Sequence, residues 1–277
     1  MELTTYAPKL INIDLTAVAD FDKAAVFVDS VTKSRLSYWT DGRHIYWRTT
    51  KLNAVPPYFF VFNTIFAKDD KHCFMQNEIL NHADVNSFRA LNYCFAKDHQ
   101  FAWCLGGRFR RYDIETFEVC DDGFNKNLMC TTFCFSDGST MAGVVYISSG
   151  YAKDRHQVYC YDHVGKVKVM KIADPQTFVS CNNGKFGKDN RYVYYYHHVI
   201  KKADPRTWKL LDAKEGYSCD SKHAFRFKTC FENVDIETLS ICEFTAKDGE
   251  VIKLLKDKNG LFGLDGSRIT EDEVQQI

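Results

Sequence analysis

An all-β fold built from tandem repeats of about thirty residues is what this sequence predicts, and three observations carry the prediction. An aspartate preceded by an aromatic residue recurs along most of the chain. A second aspartate-containing signature recurs fifteen residues after it. Aromatic residues reach 15% against only five prolines, and no stretch sustains a helical period, a composition suited to short strands.

The first signature aligns Asp41, Asp69, Asp98, Asp154, Asp189, Asp220 and Asp257. Three residues before each stand Tyr38, Phe66, Phe95, Tyr151, Phe186, Tyr217 and Leu254. Five residues after it stand Tyr46, Phe74, Trp103, Tyr159, Tyr194, Phe225 and Phe262, following a small or aliphatic residue in every copy. The aspartate suits a tight turn, because its carboxylate can accept hydrogen bonds from the amides that follow.

The second signature reads "ADVNSF" (83–88), "YDIETF" (112–117), "ADPRTW" (203–208) and "VDIETL" (234–239), with "ADPQTF" (173–178) delayed by an insertion around "DHVGK". Asp followed by Pro and, three residues on, Thr describes a corner that leads into a short apolar strand. Each unit therefore reads as a strand, a tight turn, a return strand, a second turn, the corner and a third strand. One unit has too little apolar surface to fold alone, so neighbours must cover each other and the aromatic columns become core.

The expected architecture is one structural domain of three-stranded antiparallel units in an open twisted array. A propeller-like ring is the alternative, and the open array is preferred because propeller blades usually need about forty residues. Residues 1–36 form an N-terminal cap, 37–277 the repeat domain, and the tail after Ile269 a C-terminal cap. The gap from Asp98 to Asp154 is twice its neighbours, which suggests a decayed unit at 120–149.

Several function classes find no footing. Thirty-six basic residues balance thirty-six acidic ones, so no global field draws the chain to nucleic acid or an anionic membrane. The start lacks the pattern of a secretory signal, and the longest apolar stretch, "AVPPYFFVF", is too short to cross a bilayer. Eleven cysteines include no Cys-x-x-Cys pair, which favours free thiols in a reducing cytoplasm. Seven residues after the corner aspartates, Cys120, Cys181 and Cys242 alternate with Leu91 and Leu211, so cysteine stands in for a small hydrophobe.

His44, His72 and His223 share one turn position, and His197 and His198 point to opposite faces of a strand. Asp257-Lys-Asn-Gly260 opens like a calcium loop, but Arg268 stands where a bidentate glutamate is required. "GGRFRRY" (106–112) mixes arginine with aromatics, yet its arginines align with Lys201 and Lys202 of another repeat, the solvated rim of a turn. No cofactor, metal or catalytic residue is expected.

The run "KDNRYVYY" (188–195), with "KDKNGLF" (256–262), resembles the DKNYY family of bacterial repeat proteins over about residues 37–270. The resemblance implies a bacterial β-repeat protein and brings no catalytic residues; such modules occur as immunity proteins encoded beside antibacterial toxins. The expected function is non-enzymatic binding of a protein partner, a toxin domain that the chain occludes. The alternatives are an enzyme with an unrecognised active site and a carbohydrate-binding repeat protein. Partner contacts are expected where the pattern breaks: Asp121, Asp122 and Phe124 in the decayed unit, and Tyr161, Asp162 and His163 at the insertion.

Overall fold

The computed structural model describes residues 9–10, 38–40, 43–47, 50–54, 58–134, 140–245, 249 and 251–274, with the backbone alone at 9–10, 39, 127–134 and 140–145. The chain divides into two compact units, 1–176 with 180–185, and 177–179 with 186–277. Among the described residues both are built from small antiparallel sheets, none closed as a barrel. Each four- or five-stranded sheet goes with one signature aspartate, and we name the modules after it.

In the first unit, the Asp98 module pairs Arg89–Ala90, Phe95–Lys97, Ala102–Cys104 and Gly107–Arg108 in that order. The Asp69 module repeats it with Phe60–Val61, Phe66–Lys68, Cys73–Met75 and Glu78–Ile79. In the second unit, the Asp220 module follows with Lys209–Asp212, Tyr217–Cys219, Ala224–Arg226 and Thr229–Phe231. The module thus has four strands where the sequence reading has three. The additional one is a two- or three-residue strand after the second turn, too short to leave a periodic signal of its own. That turn puts Gln76, Tyr196 and Phe227 at φ between 51° and 57°, the handedness that two-residue hairpins favour.

The Lys-Asp pair of the first signature explains why the repeats stay together. Asp98 is buried; its Oδ1 accepts the amides of Gln100 (2.6 Å) and Phe101 (2.5 Å), closing its turn. Its Oδ2 accepts the amide of Asp84, in the preceding corner, at 2.8 Å. Lys97 reaches the other way, its Nζ donating to the carbonyls of Ile114 (3.1 Å) and Phe117 (2.9 Å) in the following corner. Adjacent side chains on a strand point to opposite faces, so one residue holds the corner before and the next holds the corner after. The same bonds recur in the second unit, from Asp204 N to Asp220 Oδ2 at 2.9 Å, from Asp235 N to Asp257 Oδ2 at 2.8 Å and from Lys188 Nζ to Pro205 O at 2.9 Å.

The aromatic columns are core, with Tyr46 alone half-buried. Phe88 of one corner packs on Trp103 with centroids 5.7 Å apart, Phe117 on Tyr159 at 5.8 Å and, in the second unit, Phe178 on Tyr194 at 6.0 Å. One cluster runs from Phe62 and Phe66 to Ala96 and Trp103, so its walls come from successive modules, as expected of repeats that cannot bury their faces alone. The tyrosine hydroxyls are engaged as well. Tyr151 Oη donates to Lys185 O at 2.8 Å, Tyr217 Oη to Lys253 O at 2.9 Å, and Tyr159 and Tyr194 donate to Asp154 and Asp189.

The segment 120–149 is not a degenerate copy of the repeat. It carries a two-stranded hairpin, Phe124–Cys134 with Thr140–Ser148. The strand before it, Glu118–Val119, pairs directly with the strand after it, Gly150–Lys153. The hairpin is therefore an insertion within the Asp154 module, which continues with Val158–Tyr161 and Lys168–Met170. The expected N-terminal cap lies outside the described residues except for Lys9–Leu10, which pairs with Phe60–Val61. At the other end a short helix, Glu271–Val274, buries Val274 against Leu254 and Leu261.

Candidate interaction surface

Two departures from the repeat fall in one module, and the Asp257 module carries a smaller one, a lengthened hairpin of Ser240–Thr245 with Val251–Asp257. The Asp154 sheet carries the hairpin between its first and second strands, and the loop 162–167 between its third and fourth. In the Asp69, Asp98, Asp189 and Asp220 modules the third and fourth strands join through a tight turn, as between Cys73–Met75 and Glu78–Ile79, while the Asp257 module joins Gly260–Phe262 to Arg268–Ile269 through residues 263–267.

Asp121 closes the root of the hairpin. At the equivalent place in the two modules before it stands an asparagine. Asn92 Oδ1 accepts the amides of Cys94 (3.0 Å) and Phe95 (2.8 Å), while its Nδ2 donates to Asp121 O at 2.9 Å. Asn63 does the same one module earlier, its Oδ1 holding Ile65 and Phe66 at 2.9 Å. The hairpin separates the two amides that one oxygen would serve, and a carboxylate offers an oxygen to each. Oδ1 of Asp121 accepts Gly123 N at 3.0 Å; Oδ2 accepts Tyr151 N at 3.0 Å and Ser180 Oγ at 2.9 Å. Burial raises this carboxyl to about 7 against the pull of those three donors. Gly150 is required beside it, because a Cβ there would lie 2.3 Å from Asp121 Oδ1.

The expected contact residues divide accordingly. Asp121 is 1% exposed, and Phe124 and Tyr161 are also buried. Phe124 packs on Tyr93 and Tyr146 with centroids 5.6 and 4.9 Å away. These three support the surface and cannot form it, which corrects the expectation that freedom from the repeat pattern means exposure. Asp122 is half-buried, with Lys126 3.4 Å from its carboxylate. Asp162 and His163 lie in the inserted loop, half-buried and exposed, His163 at φ 62°.

The loop and the strand that follows it also expose aliphatic side chains. Val164 is 61% accessible, Val169 39% and Ile172 52%, on or beside the outermost strand of the sheet. The alternating run "KVKVMKI" (166–172) was the signal available in the sequence. The loop is docked on its own unit: a Cβ on Gly106 would meet Gly165 O at 2.6 Å and Val167 N at 2.9 Å.

Near the Asp113 corner lies a cleft of about 450 Å³, lined by Glu115, Phe117, Lys153, Arg155 and Pro175 among others. Its polar groups hold one another. Arg155 bonds Asp113, keeping that carboxyl down at about 2, and Thr116 Oγ1 donates to Asp113 Oδ2 at 2.8 Å.

Among the described residues Ser87, His99 and Asp84 come together, but they do not form a relay. Ser87 Oγ lies 2.9 Å and Asp84 Oδ2 3.0 Å from the same nitrogen of His99, Nδ1, whereas a relay needs the nucleophile on one ring nitrogen and the orienting acid on the other. No group of three His, Cys, Asp or Glu side chains that could hold a metal occurs among the described residues. At the calcium-like loop the guanidinium of Arg268 forks onto Asp257, Nη1 to Oδ1 at 2.6 Å and Nη2 to Oδ2 at 2.7 Å.

The nine described cysteines are free, and burial pushes the Cys73 and Cys104 thiols up to about 12 and Cys94 and Cys160 well above their ordinary value. Cys120, Cys181 and Cys242 are half-buried, as are Leu91 and Leu211 in the same column; the side chains of Cys130 and Cys134 lie outside the described residues. No described helix is long and apolar enough to cross a membrane.

The sequence model of the DKNYY family matches the chain twice in tandem, over residues 11–106 and 106–266. Neither the curated proteins nor the solved structures return a match.

Proposed function

The chain belongs to the DKNYY family, and from that premise we propose that it is a non-enzymatic protein-binding module of the bacterial cytoplasm, an immunity protein that occludes a toxin domain. The observation that carries the reading is the concentration of the two largest insertions, and of three exposed aliphatic side chains, on the Asp154 module. Elsewhere the signature polar groups are consumed in holding corners and turns, which favours a scaffold over a reaction centre. A stiff scaffold loses little conformational entropy when it binds. The carbohydrate alternative gains nothing from the aromatic columns, whose rings are core and offer no face to a sugar.

Co-expression with a toxin domain encoded by an adjacent reading frame tests the proposal, scored by cell survival and by titration calorimetry of the purified pair. Replacing residues 162–166 with a two-residue turn should cost at least about tenfold in affinity at an unchanged urea midpoint. Failure to rescue, or affinity indifferent to that replacement, would remove the assignment.

A further inference from the structure

We infer that the outer edge of the Asp154 module, residues 164–172, docks an extended acidic segment of a protein partner that also carries aliphatic side chains. This rests on the protein-binding reading above and names the chemistry of the partner.

Lys168–Met170 is the last strand of its sheet, and an edge strand leaves half of its backbone groups facing outward. Met170 is buried, while Val169 on the opposite face is exposed, together with Val164 before the strand and Ile172 after it. Lys166, Lys168 and Lys171 are interleaved with them. None of the three has an ion-pair partner among the described residues. The neighbouring carboxylates serve their own turns: Asp162 accepts the Val164 amide at 3.3 Å and Asp174 the Gln176 amide at 3.0 Å.

Lysines along an edge repel a second copy of the same edge, a common guard against self-association. The same charges attract an acidic strand, so one feature supplies both the exclusion and the choice. Alternation matters as well. A partner strand with acidic and aliphatic residues in turn would meet lysines and valines together, which a polyanion without apolar groups cannot do.

The probes are ten-residue peptides of alternating Glu-Val, Ser-Val and Lys-Val, followed by fluorescence anisotropy on the full chain at low salt. Three exposed charge pairings predict that Glu-Val binds about tenfold tighter than Ser-Val, an advantage lost as the screening length shortens. Combined K166E, K168E and K171E substitutions, on side chains exposed at Lys166 and Lys171 and half-buried at Lys168, should transfer the preference to Lys-Val, with an unchanged urea midpoint as the folding control. Equal binding of Glu-Val and Ser-Val, or a preference untouched by the triple substitution, overturns the assignment. So does tighter binding to vesicles of anionic phospholipid than to Glu-Val. If Glu-Val fails while the shortened loop still loses the toxin domain, this inference falls and the wider reading stands; the converse result separates them the other way.

Discussion

Asp98 Oδ2 accepts the backbone amide of Asp84 at 2.8 Å, joining the turn of one repeat to the corner of the repeat before it. With Oδ1 on Gln100 and Phe101, one buried carboxylate satisfies three amides. Asp98→Ala strands all three, at about 1 kcal/mol or more apiece, so a loss of about 3 kcal/mol is expected in urea unfolding. Asp70→Ala, at an exposed neighbour of the same column residue in another module, should stay within about 0.5 kcal/mol. Equal effects would show that the column is not structural.

Lys97→Met keeps the length and apolar stem of the side chain but removes the donor to Ile114 O and Phe117 O. About 1–2 kcal/mol should be lost. The amides of 113–118 should exchange with solvent faster than those of the Asp69 turn, which hydrogen-exchange mass spectrometry resolves. Uniform exchange would mean that the lysine does not hold the corner.

Arg268 and Arg155 both bond aspartates, and their removal should differ. Arg155→Ala breaks an exposed pair with Asp113, worth less than about 1 kcal/mol. Arg268→Ala leaves the buried Asp257 carboxylate without its bidentate partner, and a loss of about 3 kcal/mol is expected by thermal or urea melt. If the two variants melt alike, burial of Asp257 has no energetic weight.

Asp121 and Asp257 respond to pH in opposite senses. The Arg268 guanidinium holds Asp257 well below the usual carboxylate range, so its stabilisation is present above the unfolded value of 3.8 and is lost as pH falls. Asp121 is raised from 3.8 to about 7; its contribution is complete below about pH 4 and disappears as pH rises through 7. Between about pH 5 and 8 the protein should lose on the order of 2–3 kcal/mol from this group. Asp121→Asn cannot titrate, so whatever its fixed cost, the difference between urea midpoints at the two pH values should shrink. An unchanged difference would place the titration elsewhere.

The repeat was legible because hydrogen bonding demands the same residue each time: an aspartate that must hold turn and corner amides cannot drift, and a lysine precedes it in five of the seven copies. The hairpin was not legible for two reasons. Its length makes the Asp98 to Asp154 gap nearly two periods, and its root replaces the asparagine of Asn63 and Asn92 with Asp121, hiding the turn that continues at Tyr151. Phe124 and Tyr161 were misjudged as surface because an insertion still needs apolar side chains where it joins the core, whereas Val169 and Ile172 sit in an ordinary-looking strand run. Only the placement of that strand at the sheet's edge makes them accessible.

A single side chain seals the doorway between scaffold and hairpin, since Asp121 grips the amides of Gly123 on the way out and Tyr151 on the way back. Whatever protrudes beyond that doorway can be exchanged without disturbing the rooms on either side. A foreign β-hairpin spliced between Leu128 and Tyr146 would inherit a ready-made socket, with Tyr146 still seated on Phe124.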